Sequence, residues 1–130
     1  MPIVKQLTML LENSPGALSN VCSDLASKDI NILAMSVLDT IDSGFVRMVV
    51  DDHEHAVKEL NNSGLNVIET DVLSLEMLHK PGTMADITRQ LSKAKINIEY
   101  AYGSVPPGDG TSIGIFWVSN LKKSVEILEA

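Results

Sequence analysis

The chain has 130 residues, 45% of them hydrophobic and 21% charged, and a formal net charge of −7. That balance describes a folded globular protein, and the acid excess, with arginine only at Arg47 and Arg89, excludes the basic stripe that a nucleic-acid partner requires. The lone Cys22 excludes a disulfide framework, no membrane-length apolar run or signal peptide is read, and a cytoplasmic protein with no membrane partner is expected.

Residues 3–12 open on Ile3-Val4 and then alternate Leu7, Met9 and Leu11 with their neighbours, which predicts a strand with one buried face. In the turn that follows, Asn13 and Ser14 are capping residue types. Pro15 suits a first helical position, where its missing N–H goes unnoticed, and Gly16 permits a sharp turn. Leu18, Val21, Cys22 and Leu25 then fall on one helix face, with Cys22 expected as core filling.

Ile30 to Leu38 reads as a second strand, mostly apolar and expected to be well covered. Asp42-Ser43-Gly44 supplies hairpin chemistry, and Phe45 to Val50 returns as a third strand. Asp51 and Asp52 start a second helix whose apolar side is Ala56, Val57 and Leu60. Asn61-Asn62-Ser63-Gly64 ends it, and Val67-Ile68 begins a fourth strand.

The pattern then repeats. A shift of 66 places Pro81-Gly82 on Pro15-Gly16, Leu91 on Leu25 and Ile96-Asn97-Ile98 on Ile30-Asn31-Ile32, six identities in the eighteen positions from 15 to 32. Leu73, Leu75 and Met77 repeat Leu7, Met9 and Leu11 on a strand that begins beyond Thr70-Asp71. A longer hairpin is expected across Val105-Pro106-Pro107-Gly108-Asp109-Gly110, then a strand over Ile113 to Val118 and a helix carrying Val125 and Leu128. The expected fold is therefore α+β: two tandem ferredoxin-like β-α-β-β-α-β units with antiparallel sheets, at residues 1–70 and 71–130. The second unit runs out of sequence before its last strand. Either it has three strands or another segment covers the open edge.

Helix N-terminal N–H groups at Gly16, Ala17 and Leu18 form a natural anion site, to which Asn13 adds a donor and an acceptor. The competing reading is that Asn13 and Ser14 simply cap the helix. Asn31 and Asn97, each between isoleucines at a strand's opening, either pin an adjoining loop or face a ligand. Asp51-Asp52-His53-Glu54-His55 resembles a ligand cluster, but His53 and His55 point to opposite sides of a helix, so no metal site is expected. His79 stands alone and reads as a cap or loop residue, and Tyr100 and Tyr102 share a strand face, either as core or as a wall of the pocket. No nucleophile–base pair is present, so neither an enzyme nor a cofactor is expected.

The run Leu-Glu-Asn-Ser-Pro-Gly-Ala-Leu at 11–18, followed by Ile-Asn-Ile at 30–32, resembles the ACT domain family, small regulatory modules that bind amino acids. The resemblance implies a ligand, a free amino acid or similar small carboxylate, held between the loop before the first helix and a neighbouring domain. Asn13, Ser14, Gly16, Ala17 and Leu18 would line one site with Asn31 nearby, and His79, Gly82, Thr83, Met84 and Asn97 the related one. His79-Lys80 stands where copy one has Asn13-Ser14, so the two loops need not bind alike. Leu11 occupies a place where serine-binding relatives have histidine. The implied protein is an allosteric sensor, a homodimer that acts on an enzyme of amino-acid metabolism carried on another chain. The rival reading is a ligand-free structural or oligomerisation module docking on such an enzyme.

Overall fold

A computed structural model describes residues 2–39, 43–104 and 111–129. The strands are β1 (Ile3–Glu12), β2 (Ile32–Asp39), β3 (Ser43–Val50), β4 (Ile68–Leu78), β5 (Ile98–Ser104) and β6 (Thr111–Val118). The helices are α1 (Ala17–Ser27), α2 (His53–Asn62), α3 (Thr83–Lys93) and α4 (Leu121–Glu129). The expected hairpin residues Asp42 and Val105–Gly110 lie outside the described residues. The strand expected from Val67-Ile68 and the one expected beyond Thr70-Asp71 are a single strand, β4.

Two compact units emerge, one of Lys5–Thr70 and one joining residues 2–4 to residues from 71 onward. In the first the strand order is β2-β3-β1, all antiparallel neighbours, with Leu7 opposite Met48 and Val37 opposite Val46. Alternation puts Leu7, Met9, Leu11, Val46, Met48 and Val50 on the face that meets α1 and α2. There Val21, Leu25, Ala56 and Leu60 close the core, all at 3% exposure or less. Leu18 packs against its margin, and Cys22 is half-buried.

The second unit repeats this with β4-β6-β5, placing Leu73 opposite Phe116 and Ala101 opposite Phe116 on its other side. Leu91, Ile96, Phe116 and Val118 form its core, and Val125 and Leu128 pack against it as their spacing predicts. Gly114 is required here. A Cβ at that position would lie 2.7 Å from the Phe116 ring and 2.8 Å from the Met77 methyl.

Among the described residues no strand follows α4. The β4 edge is met instead by the start of the chain: the Ser74 N–H donates to the Pro2 carbonyl at 2.6 Å, and residues 2–4 belong to this unit. Both expectations for this half are met: it keeps the three strands β4-β6-β5, and residues 2–4 meet the edge of β4. A bare edge would offer unpaired backbone groups to any passing strand.

One expectation about β2 fails. Its residues Leu33, Met35, Val37 and Leu38 are exposed rather than covered, because β2 is hydrogen-bonded on one side only, to β3.

Candidate functional site

The loops that lead into α1 and α3 are built by the same backbone bonds. In the first, Ser14 N–H donates to the Glu12 carbonyl (2.9 Å), Ala17 N–H to Ser14 (3.3 Å) and Asn20 N–H to Gly16 (2.9 Å). In the second, Lys80 donates to Leu78 (3.0 Å), Thr83 to Lys80 (3.4 Å) and Asp86 to Gly82 (2.9 Å), each bond 66 residues on. Gly16 and Gly82 hold the N-cap position with φ of 91° and 95°, the left-handed region that only glycine enters freely.

This arrangement corrects two expectations. Pro15 is not the first helical residue but lies in the turn, and α1 starts at Ala17. Nor do Asn13 and Ser14 cap the helix, since neither α1 nor α3 has a side-chain cap. Ala17 N–H is also no orphan, being spent on the Ser14 carbonyl. The first-turn N–H groups that follow have no acceptor four residues back, as at any helix start.

Asn13 turns elsewhere. Its Nδ2 donates to Asp39 Oδ1 at 3.0 Å, joining the loop to the end of β2. Sequence reasoning missed Asp39, which sheet register alone reveals: Glu12 pairs with Ser43 and Asp39 with Gly44, so the ends of β1 and β2 flank the same end of β3. Beneath the loop lies a cleft of about 310 Å³ lined by Glu12, Ser14, Ala17, Asn20, Asp24 and Ser63, among others. Asp24 Oδ2 accepts from the Ser63 hydroxyl at 3.1 Å. The second loop opens on a smaller hollow of about 140 Å³, where His79, Thr83 and Met84 come together with Lys80, Met77 and Ser112.

Asn31 and Asn97 are not brought to these loops. Ile32 pairs with Val50, at the opposite end of β3 from Ser43, so Asn31 and Asn13 are separated by the length of an eight-residue strand, about 24 Å at ~3.4 Å per residue. Their repeated role lies in the main chain. Asn31 N–H donates to Asp51 Oδ1 (3.0 Å) and its carbonyl accepts from Asp51 N–H (3.1 Å). Asn97 N–H donates to Ser119 Oγ and its carbonyl accepts from Ser119 N–H, both at 2.9 Å. Each pairing fastens a strand's entry to the end of the neighbouring strand.

The remaining sequence candidates have plain structural partners. Asp52 caps α2 by accepting from His55 N–H (3.2 Å), and His53 Nδ1 lies 3.0 Å from Glu69 Oε1. Among the described residues no cluster of three or more His, Cys, Asp or Glu could hold a metal ion, and no helix is long and apolar enough to cross a membrane. Tyr100 is half-buried against Trp117 (5.3 Å between ring centroids) and Tyr102 (6.5 Å).

A doubled β-α-β-β-α unit with a Pro-Gly loop before the first helix of each copy matches a family model described as an ACT domain pair, over residues 2–129. The chain is an ACT domain pair. It is similar to a solved protein, BT0572 from Bacteroides thetaiotaomicron, at 31% identity over 98% of this chain and 88% of that one, with a TM-score of 0.92. The regulatory subunit of aspartate kinase from Thermus thermophilus, solved ligand-free, shares the ACT-pair fold at 14% identity, 99% and 96% coverage and a TM-score of 0.70. Its counterpart from Thermus flavus does so at 14% identity, 99% and 95% coverage and a TM-score of 0.64. The curated proteins contain no match.

Proposed function

We propose that this ACT pair is a regulatory sensor, not an enzyme, which binds a free amino acid or a similar small carboxylate at the loops before α1 and α3. The observation that carries this reading is the twice-built loop. A glycine in left-handed conformation leads into each helix, and nothing lies within 4 Å of where its Cβ would stand, so a ligand can approach the backbone closely. The helix start beyond each glycine presents N–H groups and the positive end of the helix dipole to a carboxylate. Asn13 beside the first loop offers an amide oxygen to the ligand's ammonium group, while its Nδ2 is held by Asp39.

The ligand set is Asn13, Ser14, Gly16, Ala17 and Leu18 in the first unit and His79, Gly82, Thr83 and Met84 in the second. Asn31 and Asn97, at the far ends of their strands, are not part of it. The reading is supported by the ACT-pair family itself and by likeness of fold to regulatory subunits of aspartate kinase. Binding acts on a partner, an enzyme of amino-acid metabolism, by favouring one packing of the protein over another.

An amino acid makes few contacts, so the affinity lies between micromolar and millimolar, about −4 to −8 kcal/mol. Melting curves in the presence of each of the twenty amino acids test the reading. A ligand at a hundred times its Kd adds about 2.7 kcal/mol, a shift of several degrees. A shift for one amino acid or a related group, lost in Asn13→Ala, is the expected result. Silence across all twenty would overturn it in favour of a ligand-free docking module.

A further inference from the structure

We infer that Asp39 is the positioning residue that makes the first loop select for an amino group, by holding the Asn13 amide so that only its oxygen is free to meet a ligand. The inference rests on the reading of these loops as ligand sites and adds to it the residue that sets the ligand class. The two copies isolate the effect. Both loops are built by the same backbone bonds, and Gly16 and Gly82 share one conformation, so whatever the backbone offers a carboxylate is offered twice.

What differs is the side chains around the turn. At the offset of 66, Glu12, Asn13, Ser14 and Asp39 give way to Leu78, His79, Lys80 and Val105. The first loop has an amide and two carboxylates beside it, with Glu12 on the wall of the cleft below and Asp39 bonded to Asn13. The second exchanges both carboxylates for apolar residues and gains a cation. Only the first is made to receive a positive group.

Hydrogen-bond chemistry gives Asp39 its role. A carboxamide has a donor end and an acceptor end of nearly the same shape, and its last torsion is broad, so an unrestrained asparagine presents either end. An ionised carboxylate can only accept. With Nδ2 given to Asp39 Oδ1 at 3.0 Å, the oxygen of Asn13 is turned away from Asp39 and can only accept from a ligand. An α-ammonium group donates up to three bonds to such an acceptor, an α-hydroxyl one, and an α-keto oxygen none. The charges of Glu12 and Asp39 act in the same sense, weakly, because both side chains are exposed.

The test is melting and backbone-amide titration of the whole chain with each of the twenty amino acids and with the α-keto and α-hydroxy acids of matching side chain. Pyruvate and lactate serve for alanine, oxaloacetate and malate for aspartate. At Ser14–Leu18 the amino acid should bind at least about tenfold tighter than its keto analogue, the worth of one hydrogen bond left unmade, with the hydroxy acid between. Asp39→Ala should shrink that ratio to about twofold, and Asp39→Asn, which keeps an acceptor but loses the charge, should fall between. Lys80–Met84 should show no such preference in any of the three chains. One readout needs no variant to fold: in the unmodified, ligand-free chain an Nδ2 proton of Asn13 should resonate downfield of those of the exposed Asn66. A keto acid bound as tightly as its amino acid at the first loop, a ratio unchanged in Asp39→Ala, or an Asn13 amide indistinguishable from Asn66 would overturn this inference and leave the sensor reading standing. Silence across all twenty amino acids would overturn both.

Discussion

The loop at 12–17 and the loop at 78–83 share every backbone hydrogen bond described for them, yet Asn13-Ser14 in one is His79-Lys80 in the other. The edges β2 and β5 follow the same rule, with the same backbone register shift and different surface chemistry. Charge divides the halves as well. Residues 1–70 carry ten carboxylates against four cationic side chains, and residues 71–130 carry seven against six. The backbone of an ACT unit is thus fixed by few residues, chiefly the Pro-Gly turn and the buried faces, and the side chains around it are free to diverge. Two copies of one scaffold need not have one ligand or one partner.

That comparison can be broken most forcefully in the cores. Leu25 and Leu91 are matched positions, both fully buried, so Leu25→Ala and Leu91→Ala should each cost about 2–5 kcal/mol in chemical denaturation. If one half absorbed the change without loss, the halves would not be equivalent in packing. A middle-sized effect belongs to the loop glycines. Gly16→Ala and Gly82→Ala meet no steric obstacle, so only left-handed backbone strain remains, about 1–2 kcal/mol in each copy. Equal losses in melting experiments would show that the loops are the same device. Unequal losses would show that His79-Lys80 changes the turn.

The smallest effect should favour stability. Asp29 (φ 59°) and Lys95 (φ 60°) occupy the left-handed position just past their helices, where glycine is the usual residue. Lys95→Gly should stabilise by a few tenths of a kcal/mol, the relief of strain slightly exceeding the entropy that glycine adds to the unfolded chain. Asp29→Gly should give less, since aspartate tolerates this conformation better than lysine. Melting temperatures of the two variants, read side by side, would decide the order.

The repeat, the element order and the core faces were legible in the sequence because each rests on local periodicity: Leu7, Met9 and Leu11 alternate, and Val21 and Leu25 share a helix face. The Pro-Gly turn was legible too, though not its detail. Residue types suggested an Asn-Ser cap, whereas the glycine's left-handed backbone takes the N-cap position and sends Asn13 to Asp39. That contact joins residues 26 apart and depends on strand register, which no local pattern encodes. Register also sets Asn31 at the far end of β3 from the loop that the family resemblance places near it. Which segment meets the β4 edge could not be read, because Pro2 and Ser74 meet only through the folded sheet. Edge exposure of β2 escaped for a related reason: an apolar run reads alike whether a strand is central or lies at an edge.

The most direct test of the sensor reading is a titration of the isotope-labelled chain with the amino acid that shifts melting, following backbone amide resonances. The account predicts that the largest changes fall at Ser14–Leu18, with or without matching changes at Lys80–Met84, and that the amides of Asn31 and Asn97 stay still. Changes centred on Asn31 and Asp51, or on Asn97 and Ser119, would contradict it and move the site to the other end of the strands.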